Sequence, residues 1–141
     1  KPEFRRVCNV SEPNISYQRS FIHIFLQQKE NRTTSMSIYQ IKPGSGEIPK
    51  HGQTVAINYE CYLAANNQLV DSTYIRNIPL KFQVCCHQTV PGVDEVVQQM
   101  KVGEIVKANI SYKKGFGKSG CLGIIPPKAD LIYKIELLSI Q

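Results

Sequence analysis

Alternation of apolar and polar residues runs through most of the chain after residue 36. Over residues 54–63, Val55, Ile57, Tyr59, Cys61 and Leu63 fall at every second position, which places five side chains on one face of an extended strand. Leu131, Tyr133, Ile135 and Leu137 repeat the pattern near the end of the chain. Shorter runs at 37–41, 80–84 and 105–112 predict three more strands, and Asn66-Asn67 supplies a turn into another at Leu69-Val70. Lys42-Pro43-Gly44 closes the first of these, because proline fixes φ and glycine accepts turn geometry. One stretch has helical period instead. Val93, Val96, Val97 and Met100 stand at i, i+3, i+4 and i+7, with Asp94 and Glu95 suited to a helix N-terminus and Gly103 where a helix would stop. The expectation is an α+β domain, a twisted antiparallel β-sheet wrapped around one short α-helix.

Residues 1–35 have a weaker pattern. Residues 20–26 are β-branched and aromatic enough for a strand, and 27–34 are polar enough for a loop. This extension is expected either to add an edge strand or to pack against the domain. The domain itself is drawn at 36–141, and the chain is read as a piece of a longer parent.

Composition narrows the class. With 141 residues, 42% hydrophobic and 20% charged, the chain can bury one real core and is short for two. No apolar run approaches membrane-spanning length, so no membrane segment is expected. The net charge of +6 comes from scattered Lys and Arg without a basic stripe interleaved with aromatics, so no nucleic-acid partner is expected. Cys8, Cys61, Cys85, Cys86 and Cys121 make an odd set at irregular spacing, which predicts reduced thiols and a cytoplasmic or nuclear setting. Cys85-Cys86-His87 invites a metal reading, but consecutive strand residues point to opposite faces and do not converge on one tetrahedral ion, so no metal is expected. Triplets of the form Asn-x-Ser/Thr begin at Asn14, Asn31 and Asn109 and carry little weight without a secretory context.

The most specific motif is Gly123-Ile124-Ile125-Pro126-Pro127 followed by the alternating run from Leu131. Two prolines behind β-branched residues form a stiff loop that cannot join a ladder. Together with Pro43-Gly44-Ser45-Gly46, Val70-Asp71-Ser72-Thr73, Arg76-Asn77-Ile78-Pro79-Leu80-Lys81-Phe82, Val90-Pro91-Gly92-Val93 and Gln99-Met100-Lys101-Val102-Gly103, it resembles the signature of the FKBP-type peptidyl-prolyl isomerases, in order over 36–141. The resemblance implies that family's fold, a prolyl-ring pocket, and chemistry that needs no nucleophile, metal or cofactor. Catalysis of that kind lowers a barrier of about 18–20 kcal/mol by favouring a twisted amide in a dry, apolar site.

Carried over position by position, the resemblance places the substrate or macrolide pocket at Tyr59, Val70, Asp71, Leu80, Phe82, Thr89, Val90, Val93, Phe116, Ile125 and Tyr133. No single residue is expected to act as a catalytic acid, base or nucleophile. Val93 stands where the family has the tryptophan that floors the pocket, Val70 and Leu80 where it usually has phenylalanines, and Phe116 where a tyrosine hydroxyl donates to the ligand. Tyr59, Phe82 and Tyr133 also read as plain core, and Asp71 as a partner for Arg76. The expectation is a family scaffold with a degraded pocket. Two functions compete: a protein-interaction or co-chaperone module with weak or no isomerase activity, and an active isomerase on Xaa-Pro bonds. Val93 favours the first. The implied partner is a protein or a proline-containing polypeptide, with chaperone machinery reached through the parent and macrolide binding weak or absent. Lys113, Lys114 and Lys118 read as a solvated basic loop, or as a rim that draws an acidic partner to the pocket.

Overall fold

The computed structural model describes residues 36–141. The extension 1–35, its expected strand at 20–26, Cys8 and the triplets at Asn14 and Asn31 lie outside the described residues. Six strands follow in order: β1 (Met36–Lys42), β2 (Thr54–Leu63), β3 (Leu69–Ser72), β4 (Leu80–Gln83), β5 (Ile105–Ile110) and β6 (Leu131–Ile140). The helices are α1 (Thr73–Arg76) and α2 (Pro91–Val97), with a 3-10 turn at Tyr112–Lys114. Every strand pairing is antiparallel, in the order β1-β5-β6-β2-β3. β4 pairs the first half of β2, from Thr54↔Gln83 to Ile57↔Leu80, while β3 takes the second half.

β2 and β6 are the spine, running in register from Val55↔Ile140 to Leu63↔Leu131 across one shift at Ala56/Ile57. Their alternating residues turn inward as the period requires: Val55, Ile57, Tyr59, Cys61, Leu131, Tyr133, Ile135 and Leu137 are all at most 2% exposed. Burying an aliphatic side chain of this size contributes about 1.5–3 kcal/mol, so this shared face dominates the stability of the sheet. α2 covers it, contributing Val93, Val96 and Val97.

Three expectations need correction. The apolar stripe predicts a helix reaching Met100, but α2 ends at Val97. The Gln99 and Met100 amides donate to the carbonyls of Val96 and Val97, a tightened turn that still buries Met100. Gly103, at φ 90°, therefore ends no helix; it is a turn residue whose N–H reaches the Leu137 carbonyl at 2.8 Å. The run predicted as a strand to Tyr112 stops at Ile110, where the 3-10 turn takes over. Finally, α1 is a second helix. Four residues are too few for a periodic signal, but the flanks mark it: Ser72 Oγ accepts from the Tyr74 and Ile75 amides, and Asn77 caps the far end at φ 59°.

The cysteines and lysines also depart from expectation. Cys121 is disulfide-bonded, whereas Cys61, Cys85 and Cys86 are free, so the prediction of reduced thiols fails at Cys121. Irregular spacing could not reveal this, since a disulfide depends on closeness in the fold and not on sequence interval. Cys85-Cys86-His87 lie in a turn rather than a strand, with Cys85 and His87 at φ 65° and 56°. Among the described residues no group of His, Cys, Asp and Glu could hold a metal ion, and no helix is long and apolar enough to cross a membrane. Lys113 and Lys118 are exposed, but Lys114 is 1% exposed, so it is no part of a solvated basic loop.

Candidate functional site

The polar part of the site grows from one strand position. Tyr59 faces inward from the middle of β2, and its ring meets that of Tyr133 on β6 at 5.5 Å between centroids, tilted by 50°. Its hydroxyl reaches β3, donating to Asp71 Oδ2 at 2.5 Å. Arg76, at the end of α1, binds Asp71 Oδ1 through Nη1, reaches the Tyr59 hydroxyl through Nη2 at 3.2 Å, and sets its guanidinium carbon 5.9 Å from the Tyr59 ring centroid. Burial pushes the Tyr59 phenol well above its usual range, with Asp71 adding to the effect and Arg76 opposing it. Tyr59 is therefore a permanent donor.

Thr73 locks this cluster from behind. It is fully buried, and its Oγ1 accepts from the Tyr59 amide at 2.8 Å while lying 2.9 Å from Asn58 Oδ1. Asp71 Oδ1 also accepts from the Ser72 amide at 2.9 Å. The turn that presents Asp71 and Arg76 is thus fixed by α1, by its cap and by β2. The motif Val70-Asp71-Ser72-Thr73 carried Asp71 at the sequence level; the contributions of Ser72 and Thr73 were readable only as helix-start chemistry.

The apolar part is buried. Leu80 and Phe82 on β4, Val90 and Val93 around the start of α2, Ile125 in the loop at 123–127, and Tyr133 all belong to one buried cluster with Tyr59. Their exposures run from 1% to 4%, and Thr89 is 6% exposed. Val70 and Phe116 are half-buried and lean on the same cluster. The structure therefore brings the expected residues to a common centre, where most of them act as core. An open groove of about 480 Å³ does exist beside Pro126 and Pro127, walled by residues 63–65 and 126–130, and it contains none of the eleven expected site residues.

Two loops frame this centre and touch each other. Gly120, at φ 67°, approaches the 123–127 loop so closely that a Cβ there would stand 2.2 Å from the Ile125 carbonyl oxygen. The Cys121 amide donates to that same oxygen at 2.8 Å. Behind them, α2 is buried on every side, including the two carboxylates that the sequence pattern assigned to the helix N-terminus. Asp94 accepts from the Cys85 amide with both oxygens, at 3.0 and 3.1 Å, and thereby holds the turn at 84–87. Glu95 accepts from Lys114 Nζ at 2.7 Å, both side chains being at most 5% exposed. Burial raises both carboxyls above the usual range; Lys114 pulls Glu95 back in part, as the Cys85 amide does Asp94. The sequence marked Lys114 only as one of a basic cluster and not as a buried partner of Glu95, which lies nineteen residues away on another element.

Comparison with known proteins accounts for this architecture. Residues 45–138 match the family model described as FKBP-type peptidyl-prolyl cis-trans isomerase. The chain is 39% identical over 101 residues to FK506-binding protein 1 of Dictyostelium discoideum, an alignment spanning 72% of this chain and 94% of that protein. It is 37% identical over 107 residues to FK506-binding protein 1 of Yarrowia lipolytica, spanning 75% and 98%. In fold it resembles the N-terminal domain of FKBP42 from Arabidopsis thaliana, with TM-score 0.72, 23% identity, and coverage of 77% of this chain and 88% of that one. It also resembles a multi-domain immunophilin from Arabidopsis thaliana, with TM-score 0.73 and 23% identity, covering 77% of this chain and 43% of that one. The antiparallel six-stranded sheet with one main helix, the ordered motifs and these matches agree: the chain belongs to the FKBP-type peptidyl-prolyl cis-trans isomerase family.

Proposed function

We propose that this chain is a divergent FKBP-type domain that acts mainly by binding a proline-containing polypeptide and isomerises Xaa-Pro bonds slowly. The observation that carries the reading is Val93, 2% exposed at the start of α2, where the family signature calls for tryptophan. A valine there removes the aromatic floor, among Leu80, Phe82, Val90, Ile125 and Tyr133, which are all buried. What survives is the rim: Asp71, Arg76 and Tyr59 keep a rigid, charged and hydrogen-bonded edge able to orient a peptide. Phe116 offers a ring without the hydroxyl that would donate to a substrate carbonyl.

Magnitudes point the same way. Aromatic contacts add about 0.5–1.5 kcal/mol each beyond burial, and a neutral hydrogen bond contributes a similar net amount. Three rings and one hydroxyl fewer amount to several kcal/mol, and each 1.36 kcal/mol is about tenfold in rate. Macrolides that bury a ring on the pocket floor should bind weakly for the same reason. In this reading the domain serves a larger immunophilin as a recognition or co-chaperone module in a reducing, cytoplasmic setting. The free thiols of Cys61, Cys85 and Cys86 among the described residues support that setting, and the Cys121 disulfide is the observation against it.

The test is titration of the purified domain with a short Leu-Pro peptide, followed by NMR, together with the triple variant Val93→Trp, Leu80→Phe, Phe116→Tyr. The reading predicts weak turnover in the native chain and a gain in the triple variant. Because overpacking costs about 1–3 kcal/mol, melting is measured alongside. A folded triple variant with no gain would count against a degraded pocket.

A further inference from the structure

The Glu95–Lys114 pair ties together the two elements that bring Val93 and Phe116 to the candidate site. Glu95 lies on α2 two residues after Val93, and Lys114 closes the 3-10 turn two residues before Phe116. Lys114 Nζ donates to Glu95 Oε1 at 2.7 Å with side-chain exposures of 1% and 5%, so the contact is made out of water. The second carboxylate oxygen, Oε2, is buried with no hydrogen-bond partner in the structure. Lys114 is therefore the cation that compensates this charge. An ion pair this deep adds little net stability over apolar residues of the same size, whereas removal of one partner strands a buried charge and is strongly unfavourable. Such a contact is suited to fixing one arrangement of two elements.

Beyond Lys114 the loop is tied to the segment before β6, the Tyr112 amide donating to Asp130 Oδ1 at 2.9 Å and the Lys128 amide to the Gly117 carbonyl at 3.1 Å, and its inner bonds link it to Lys114. The Lys114 amide donates to the Ser111 carbonyl at 3.0 Å, those of Gly115 and Gly117 to the Tyr112 carbonyl at 3.1 and 2.8 Å, and that of Gly120 to the Phe116 carbonyl at 3.2 Å. These bonds are internal to the loop, so a shift of Lys114 would strain the segment from Gly115 to Gly120 between Lys114 and those anchors, and Gly120 abuts the Ile125 carbonyl.

We propose that Glu95 and Lys114 are positioning residues of the candidate site: their buried ion pair clamps the 111–120 loop onto α2 and so sets Phe116 against the apolar centre that receives a polypeptide. The polypeptide part rests on the function proposed above, and the clamp does not.

The experiment compares the native domain with Lys114→Met and with Glu95→Leu/Lys114→Met, using NMR amide exchange and titration with a short Leu-Pro peptide. In Lys114→Met the amides of Lys114, Gly115, Gly117 and Gly120 should exchange about tenfold faster or more, while those of β2 and β6 keep their native protection. Peptide affinity should fall with little change in the rate at saturation. In the double variant, where no charge is stranded, loop protection should return. Should Lys114→Met not fold, Glu95→Gln supplies the comparison, with the same local loosening expected. Native protection of the loop in the single variants would overturn the clamp, and so would loosening spread evenly over the sheet. Local loosening with no peptide binding by any of the proteins, the native one included, would leave the clamp standing and remove the polypeptide reading instead.

Discussion

Tyr59 shows how much one residue can settle. Its phenol donates to Asp71 at 2.5 Å and meets Arg76 at 3.2 Å, and its amide is bound by Thr73. Tyr59→Phe removes the hydroxyl and leaves Asp71 short of a donor in a half-buried place, so urea unfolding should show a loss of about 1–3 kcal/mol. Two residues further along β2, Cys61 is fully buried and burial pushes its thiol up to about 12, so the reactive thiolate is scarce at neutral pH. Alkylation at pH 8 followed by mass spectrometry should leave Cys61 unmodified in the folded domain and label it after denaturation. The inward placement of both residues was legible because β2 alternates without a break. Their partners were not. Thr73 and Arg76 sit on a helix of four residues, and such a short element leaves only its capping Ser72 and Asn77 as signs.

At the scale of elements, the site is a matter of close approaches that the sequence records only as glycines and buried charges. Gly120→Ala would drive a Cβ into the Ile125 carbonyl from a left-handed φ of 67°, so thermal unfolding should show a loss of about 1–3 kcal/mol or more. The perturbed loop resonances should centre on 120–127. Asp94 carries a pH signature. Burial raises its carboxyl above the usual range in the folded state, so the folded protein holds the proton more tightly than the unfolded chain. Its contribution is therefore fullest below the ordinary carboxylate range and declines as pH rises through the raised value. The difference in melting temperature between the native domain and Asp94→Asn should shrink as pH climbs from about 4 to about 7. A difference that widened with pH would mean that the Cys85 amide outweighs burial. The period of α2 gave its apolar face correctly, but it could not tell that the polar face is covered too. A helix buried on all sides keeps its carboxylates only if other elements bring donors to them, and those elements are remote in sequence.

For the whole molecule, the sheet was readable from alternation and the family from ordered motifs, because both are local in sequence and repeated across the chain. What stayed hidden comes from tertiary proximity: the buried Lys114 and the disulfide at Cys121. The basic rim expected of Lys113, Lys114 and Lys118 reduces to the two exposed lysines, which weakens the case for electrostatic steering toward this loop. In the function proposed above, the floor residue Val93 separates a binding domain from an efficient enzyme on the same sheet. The most direct test is NMR exchange of a short Leu-Pro peptide with this domain, beside a family member that keeps tryptophan at the position of Val93. The predicted result is catalysed interconversion slower by about a hundredfold or more, the share of two or three lost contacts at about tenfold per 1.36 kcal/mol. Equal turnover by the two domains would contradict it.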